Sequence, residues 1–252
     1  MKRAAPAGGY DYKNKEWYRK AVWHWIRRQR KLTQARSVMF MPSIEGVEIE
    51  LAYRYGFAAS DLHVVDHNPA IVAHLKRRHP DIHTYGVDVF RALPRAVRTG
   101  ASLVAVSLDM TCGCTMAFQK NLREMAPLLM PGTVLAVNLL RGREQNGVLP
   151  EIARKGLPET FEWRDVMIQS SLVGGGKWAD LLDQGVYKST AGNQTFRWGV
   201  WQIEEFHEPG TRLSGIAMRL NGDVEKDSVM TTEMRRLKRR LRTLGCTEDL
   251  EV

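Results

Sequence analysis

Residues 37–69 read SVMFMPSIEGVEIELAYRYGFAASDLHVVDHNP and carry the clearest signal of the fold. Residues 37–41 form a short, nearly continuous apolar run, which is typical of a strand covered on both faces. Helical apolar spacing begins near Val47 and reaches Gly56, a residue that commonly terminates helices. Residues 62–65 give a second buried strand, so the stretch predicts a strand, a helix and a second strand in succession.

The same alternation continues along the chain. Asn68-Pro69 opens a second helix, because asparagine caps helices and proline suits the first helical turn. Apolar periodicity and turn residues then predict a third strand at 83–87, a fourth at 102–108, a helix at 118–130 and a fifth strand at 133–139. Repeated strands and helices at this spacing predict an α/β fold of the Rossmann-like, doubly wound type with a mostly parallel sheet.

The pattern changes after Arg141. We expect one further strand within 161–170, and an antiparallel pair formed by 195–206 and 213–220 around the turn residues 207–210. This C-terminal pair would complete a mixed sheet. Gly174, Gly175 and Gly176 lack the spacing of a phosphate-binding loop and predict a flexible loop.

Both ends of the chain carry basic helical segments. Residues 13–36, from Lys13 to Arg36, contain nine Lys or Arg and one acid, interleaved with tryptophan and tyrosine. Near the other end, six of the eight residues from Arg235 to Arg242 are basic, and leucines at helical spacing mark a second amphipathic helix. Each helix either packs on the domain or contacts nucleic acid through its cations and aromatic rings.

Composition fits one α/β domain of 252 residues with appendages at both ends. We divide the chain into an N-terminal helical segment at 1–35, an α/β domain at 36–220 and a basic helix and tail at 221–252. The net charge of +9 favours polyanionic partners such as DNA or RNA. Because no apolar run is long enough to cross a bilayer and no signal-peptide core follows the N-terminus, we expect a cytoplasmic protein.

Acidic residues follow three of the predicted strands. In an open parallel sheet, ligands bind at the carboxyl ends of the strands, where Asp66, Asp88 and Asp109 lie. A carboxylate at the end of the second strand can accept hydrogen bonds from both hydroxyls of a ribose, and Asp66 fits that role. The alternatives are that Asp66 caps the next helix and that Asp88 and Asp109 are ordinary cap or turn acids.

The order of these motifs resembles the class I S-adenosylmethionine-dependent methyltransferases over residues 36–220. The resemblance implies S-adenosylmethionine as cofactor and a catalytic loop that starts at Asp109. It implies cofactor-binding residues in the first loop and after the second and third strands, namely Pro42, Ser43, Glu45, Gly46, Asp66, Asn68, Asp88 and Val89. The first loop holds one glycine where the family has two or three, and the fourth-strand loop lacks the Pro-Pro signature of amino-methylating DNA enzymes.

Two functions follow. The first is an S-adenosylmethionine-dependent methyltransferase that acts on nucleic acid, with Asp109 near the chemistry. The second is a catalytically inactive methyltransferase-like module that binds nucleic acid or supports assembly. A nicotinamide-binding enzyme is less compatible, because G-x-G-x-x-G is absent after the first strand. We expect no metal: Cys112 and Cys114 are interpreted as small buried residues, although C-x-C with remote histidines is a weak zinc pattern.

Overall fold

The computed structural model describes residues 12–140, 168–169, 171–172, 174–189 and 194–205. The helices are α1 (Tyr12–Leu32), α2 (Val47–Arg54), α3 (Pro69–Arg78), α4 (Val89–Arg98) and α5 (Met116–Met125). The strands are β1 (Ser37–Phe40), β2 (Leu62–Val65), β3 (His83–Tyr85), β4 (Leu103–Asp109), β5 (Val134–Leu140), β6 (Lys177–Lys188) and β7 (Thr195–Glu205). Short 3-10 helices lie at Ala59–Asp61 and Ala126–Leu128.

One seven-stranded sheet organises the domain, in the order β3-β2-β1-β4-β5-β7-β6. Strands β1 to β5 are parallel, and β7 pairs antiparallel with both β5 and β6. One apolar core joins the sheet to α1, α2 and α3, and a second joins its other face to α4 and α5. This arrangement confirms the expected Rossmann-like, doubly wound sheet with an antiparallel C-terminal pair.

Local sequence fixes where the helices begin. The side chain of Asn68 accepts a hydrogen bond from the Ala70 amide at 2.9 Å, and Pro69 occupies the first turn of α3. The carboxylate of Asp88 caps α4 in the same way, through the Phe90 amide at 2.8 Å. Helix α2 starts differently, because Gly46 has a positive φ of 72° that other residues adopt at a cost.

The antiparallel pair differs from the expected one. Strand β7 pairs with the upstream segment β6, whereas we expected 213–220 as its partner. The expected strand at 161–170 is wrong where the structure describes it, because residues 168 and 169 are helical. The remainder of 161–170, as well as 207–220 and the basic segment 235–242, lies outside the described residues.

Gly175 lies in a turn that packs closely against the C-terminal end of α5. A Cβ atom on Gly175 would lie 2.5 Å from the carbonyl oxygen of Arg123 and 2.6 Å from the Cβ of Ala126. Because backbone atoms cannot give way at such distances, only glycine allows this approach before β6 begins.

Helix α1 packs lengthwise on the sheet. Tyr18, Val22, Trp23 and Ile26 are buried in the core that it shares with β1, β4, β5 and β7. Trp17 faces outward and is 77% exposed. Packing on the core therefore explains some of the aromatic residues in the basic N-terminal segment. Trp17 lies on a second, outer face of α1 that does not pack on the sheet. No helix in the described part of the chain is long and apolar enough to span a membrane.

Candidate cofactor and acceptor site

Parallel pairing brings the ends of the central strands to one edge of the sheet. Phe40 at the end of β1 pairs with Val64 of β2 and with Ser107 of β4. At the end of β4, Asp109 pairs with Asn138 of β5. The loops after β1, β2, β3 and β4 therefore converge at the edge where this class of fold binds ligands.

Asp66 directly follows β2 at this edge. Its backbone amide donates to the Tyr85 carbonyl at 3.1 Å, which extends the pairing of β2 with β3. Its Oδ1 accepts the backbone N–H of Asn68 at 2.7 Å, and Asn68, which is exposed, caps α3. Asp66 therefore orients the turn without capping the helix itself, and its partly buried carboxylate remains at the tip of the strand.

Asp88 and Val89 start α4 beyond β3. The Asp88 carboxylate is exposed and uses Oδ1 as the helix cap. The Val89 side chain is 1% exposed and packs in the core with α5, so a ligand at this edge would contact its backbone rather than its side chain. The structure thus brings Asp88 to the predicted edge but places the Val89 side chain in the core.

Glu48, which the sequence pattern does not single out, holds the first loop in place. Glu48 Oε2 accepts the backbone N–H of Ser43 at 3.1 Å, and Pro42, Ser43 and Gly46 are buried around it. Glu45 is exposed, and its carbonyl oxygen accepts from Arg78. The Ser43 hydroxyl is buried and has no hydrogen-bond partner among the described residues.

Arg19 of α1 connects the N-terminal helix to this loop. Its Nε and Nη2 atoms donate to Oε1 of Glu48 at 2.9 and 2.8 Å, and both side chains are buried. A small cavity of about 20 Å³ lies beside them, lined by Tyr18, Arg19, Glu48, Ser107 and Asp109 among others. Side chains of α1 thus nearly fill the space between the first loop and the end of β4.

Asp109 lies at the centre of a polar cluster. Its Oδ1 accepts from Nδ2 of Asn138 at 2.8 Å, and its Oδ2 forms a salt bridge with Lys15 of α1. The Asn138 amide also donates to the hydroxyl oxygen of Tyr187 at 2.8 Å, which brings β6 into the cluster. One edge therefore joins the loop after β1, the tips of β4 and β5, and β6.

Two further groups at this edge are held in their neutral forms. Burial, reinforced by the negative charge of Asp109, raises the pKa of Tyr18 well above its ordinary value, and the Tyr18 hydroxyl contacts Ser107 Oγ at 3.2 Å. Burial also raises the pKa of Cys112, which favours the thiol over the nucleophilic thiolate. No cluster of three metal-ligating side chains occurs among the described residues.

A larger cavity, of about 540 Å³, lies at the opposite end of the sheet. It is bordered by Ser60, His63, His83, Tyr85 and residues 99–101, most of which precede or begin strands. The His63 and His83 rings stack 4.7 Å apart, and burial together with His83 lowers the pKa of His63 to about 4. None of the predicted site residues lines this cavity.

The residues that complete the site carried faint sequence signals. Asn138 is the one polar residue in the apolar strand VLAVNLL, and a lone amide in a buried strand requires hydrogen-bond partners. Glu48 adjoins Ile49 on the buried side of α2, where an acid requires a partner. Lys15 and Arg19 give no comparable signal, because they belong to a run of similar cations.

The chain is similar to several solved structures at low sequence identity. Magnesium protoporphyrin IX methyltransferase (ChlM) from Synechocystis PCC 6803, solved with bound SAH, is 12% identical and has a TM-score of 0.50, over 80% of this chain and 90% of that one. Trm5b from Pyrococcus abyssi is 13% identical and has a TM-score of 0.45. The match covers 76% of this chain and only about half (49%) of the length of Trm5b. The rRNA methylase from Streptococcus thermophilus is 11% identical with a TM-score of 0.42, over 73% of this chain and 95% of that one.

The sequence itself matches no protein-family model and no curated protein. The strand order and the similarity to ChlM establish the architecture. The chain has the Rossmann-like fold of the class I S-adenosylmethionine-dependent methyltransferases.

Proposed function

We propose that the protein is an S-adenosylmethionine-dependent methyltransferase that acts on nucleic acid. The observation that carries the proposal is the convergence of Asp66, the first loop and Asp109 at the carboxyl edge of a methyltransferase-type sheet. In a sheet of this kind, that edge is where strand order reverses and where a nucleoside cofactor binds.

The residues at this edge fit such a cofactor. Asp66 would bind the ribose hydroxyls, since its Oδ1 makes one hydrogen bond to the chain and its Oδ2 has none in the described part of the structure. Asp88 would lie near the adenine, and the buried Ser43 hydroxyl, which has no partner among the described residues, would contact the cofactor in the first loop. When bound, the cofactor supplies an electrophilic methyl group on a sulfonium sulfur.

The chain's own contribution to catalysis would be positioning and proton transfer. Asn138 and Lys15 fix the Asp109 carboxylate from two directions. A carboxylate held in this way can orient an acceptor and receive its proton, and orientation supplies much of the rate enhancement in a displacement reaction. Asp109 is therefore the proposed catalytic residue, with Asn138 and Lys15 as residues that position it.

Nucleic acid is the proposed acceptor because of the outer face of α1. On this face Lys20 Nζ lies 5.9 Å from the centre of the exposed Trp17 ring. The guanidinium of Arg28 lies 5.0 Å from the ring of Trp25, which is partly buried against the core. Exposed aromatic rings beside cations bind nucleic acid by stacking on bases and neutralising phosphates. The net charge of +9 supports the same partner.

A methyl-transfer assay tests the proposal. Tritiated S-adenosylmethionine is incubated with the full-length protein and with tRNA, rRNA, genomic DNA or a protein extract, and incorporated label is counted. We expect label in nucleic acid, lost in Asp66→Ala and retained in Asp81→Ala, which removes an exposed acid from the turn before β3. Incorporation into protein alone would contradict the nucleic-acid acceptor.

A catalytically inactive nucleic-acid-binding module is the second candidate. One observation favours it: the Ser43 amide is already bonded to Glu48, and α1 side chains leave a cavity of only about 20 Å³ beside the loop. This function predicts nucleic-acid binding that weakens steeply with salt, together with no cofactor binding. The enzyme predicts both kinds of binding.

A further inference from the structure

Helix α4 presents three arginines on its outer side. The apolar residues of α4 are buried in the core that it shares with α5. Arg91, Arg95 and Arg98 follow one another at spacings of four and three residues, so they share the opposite side of the helix, and all three are exposed. These residues form the α4 arginine stripe, which lies on the face of the sheet opposite α1.

The positive charge of the stripe is not neutralised within the described ranges. The helix itself contains no Asp or Glu, and the carboxylate of its N-cap residue, Asp88, is bonded to the Phe90 amide. The salt bridges that the described residues form do not include the stripe. Arg98 donates from Nε to the Pro94 carbonyl at 3.2 Å, a bond within its own helix. The three guanidinium groups are therefore accessible to an external anion.

Helix stability explains only part of the stripe. Cations in the last turn interact favourably with the negative end of the helix dipole, which accounts for Arg95 and Arg98. Arg91 lies in the first turn, at the positive end of the dipole, and it repels Arg95 four residues later. Arg91 is therefore unfavourable for the helix alone, and an anion bound outside the helix would compensate it.

The length of the stripe matches the charge spacing of a phosphate backbone. At a rise of about 1.5 Å per residue, the distance from Arg91 to Arg98 along α4 is about 10–11 Å. One strand of double-stranded DNA carries a phosphate for about every 3.4 Å of axis, so about three phosphates fall within that length. Three guanidinium groups thus face about three phosphates, and each guanidinium can bind a phosphate through two parallel hydrogen bonds.

The stripe begins beside the proposed cofactor edge. Arg91 lies three residues after Asp88, which follows β3 at the carboxyl edge of the sheet. From there the stripe runs along α4 towards the turn at 99–101, which precedes β4 at the other end of the sheet. A backbone bound along the stripe therefore leads to the edge at which Asp66 and Asp109 lie.

We propose that the α4 arginine stripe is a second contact surface for the sugar-phosphate backbone of the nucleic-acid substrate. Contacts to phosphates fix the position and orientation of a nucleic acid without reading its sequence, so the stripe positions the substrate and does not select the base. This inference rests on the proposed nucleic-acid acceptor and assigns it a binding surface on the face of the sheet opposite α1.

Salt-dependent binding tests the stripe against a variant of equal net charge. Binding of fluorescein-labelled tRNA and of a labelled DNA duplex to the full-length protein is measured by fluorescence anisotropy at several KCl concentrations. The double variant Arg91→Gln, Arg95→Gln removes two charges of the stripe. The control Arg54→Gln, Arg77→Gln removes two exposed arginines of α2 and α3.

The expected readout is the slope of the logarithm of affinity against the logarithm of salt concentration. Each neutralised phosphate contributes about 0.7–0.9 to this slope, so the stripe variant should reduce it by about 1.4–1.8 and the control by less than about 0.5. The variant Arg91→Lys, Arg95→Lys retains both charges and should retain the slope, which separates phosphate contact from an effect on the folding of α4.

Equal slope changes in the stripe variant and the control would overturn the inference, as would an unchanged slope in the stripe variant or a slope lost in the lysine variant. These results would leave nucleic-acid binding itself intact. If the wild type bound neither probe, the proposed nucleic-acid acceptor would fail together with the stripe. Methyl transfer does not enter this readout, so its absence would contradict the proposed enzymatic activity alone.

Discussion

Replacement of Glu48 tests how α1 and the first loop depend on each other. Glu48 accepts two hydrogen bonds from Arg19, at 2.9 and 2.8 Å, and one from the Ser43 amide at 3.1 Å. Removal of one partner from a buried ion pair costs about 3–5 kcal/mol, since the other charge is left uncompensated. We therefore expect Glu48→Met and Arg19→Met each to lower the free energy of unfolding by about that amount.

The double variant distinguishes ionic coupling from loss of packing. With both charges replaced by methionine the ion pair is removed as a unit, and the Ser43 amide also loses its acceptor, which costs about 1–3 kcal/mol. The double variant should therefore be more stable than the sum of the two single losses predicts, with a coupling energy of at least about 3 kcal/mol.

The assay is urea-induced unfolding of the wild type and the three variants, monitored by tryptophan fluorescence. Single losses that simply add, with a coupling energy below about 0.5 kcal/mol, would refute the conclusion that this ion pair ties α1 to the first loop.

Three further predictions concern other parts of the molecule. The pKa of His63 in the folded state, about 4, lies below its ordinary value of 6.5, so protonation of His63 opposes folding. The free energy of unfolding, measured with urea, should therefore fall as the pH drops from 6.5 towards 4. It should fall less in His63→Phe. Gly46→Ala should cost about 1–2 kcal/mol in the same assay because of its positive φ, whereas Gly86→Ala, whose Cβ would lie 3.8 Å from its nearest neighbours, should cost less than about 0.5 kcal/mol. Trp17→Ala should weaken RNA binding about 5- to 150-fold in a fluorescence titration, and the control Leu32→Ala, on an equally exposed apolar residue of α1, should not.

The sequence predicted the parallel half of the sheet well, because local patterns determine it. Buried parallel strands require continuous apolar runs, and β1, β2, β4 and β5 are such runs. The partner of β7 was not predictable in this way. Segment 177–188 alternates weakly and contains Asp180 and Asp183, since β6 is an edge strand with exposed positions.

The candidate site was predictable only in part. Asp66, Asp88 and Asp109 were recognised because each follows a strand, whatever surrounds it. Arg19, Glu48 and Lys15 act through contacts between residues 29 to 94 positions apart, and no local pattern encodes such contacts. The one glycine of the first loop is explained by local structure, because Gly46 adopts the positive φ at the start of α2.

Isothermal titration calorimetry with S-adenosylhomocysteine tests most directly whether the carboxyl edge of the sheet binds the cofactor. The wild type and Asp81→Ala should bind with equal affinity. Asp66→Ala should bind about 10- to 150-fold more weakly, because hydrogen bonds to a charged group contribute about 1.5–3 kcal/mol. Undiminished affinity in Asp66→Ala, or no heat of binding with the wild type, would contradict the account.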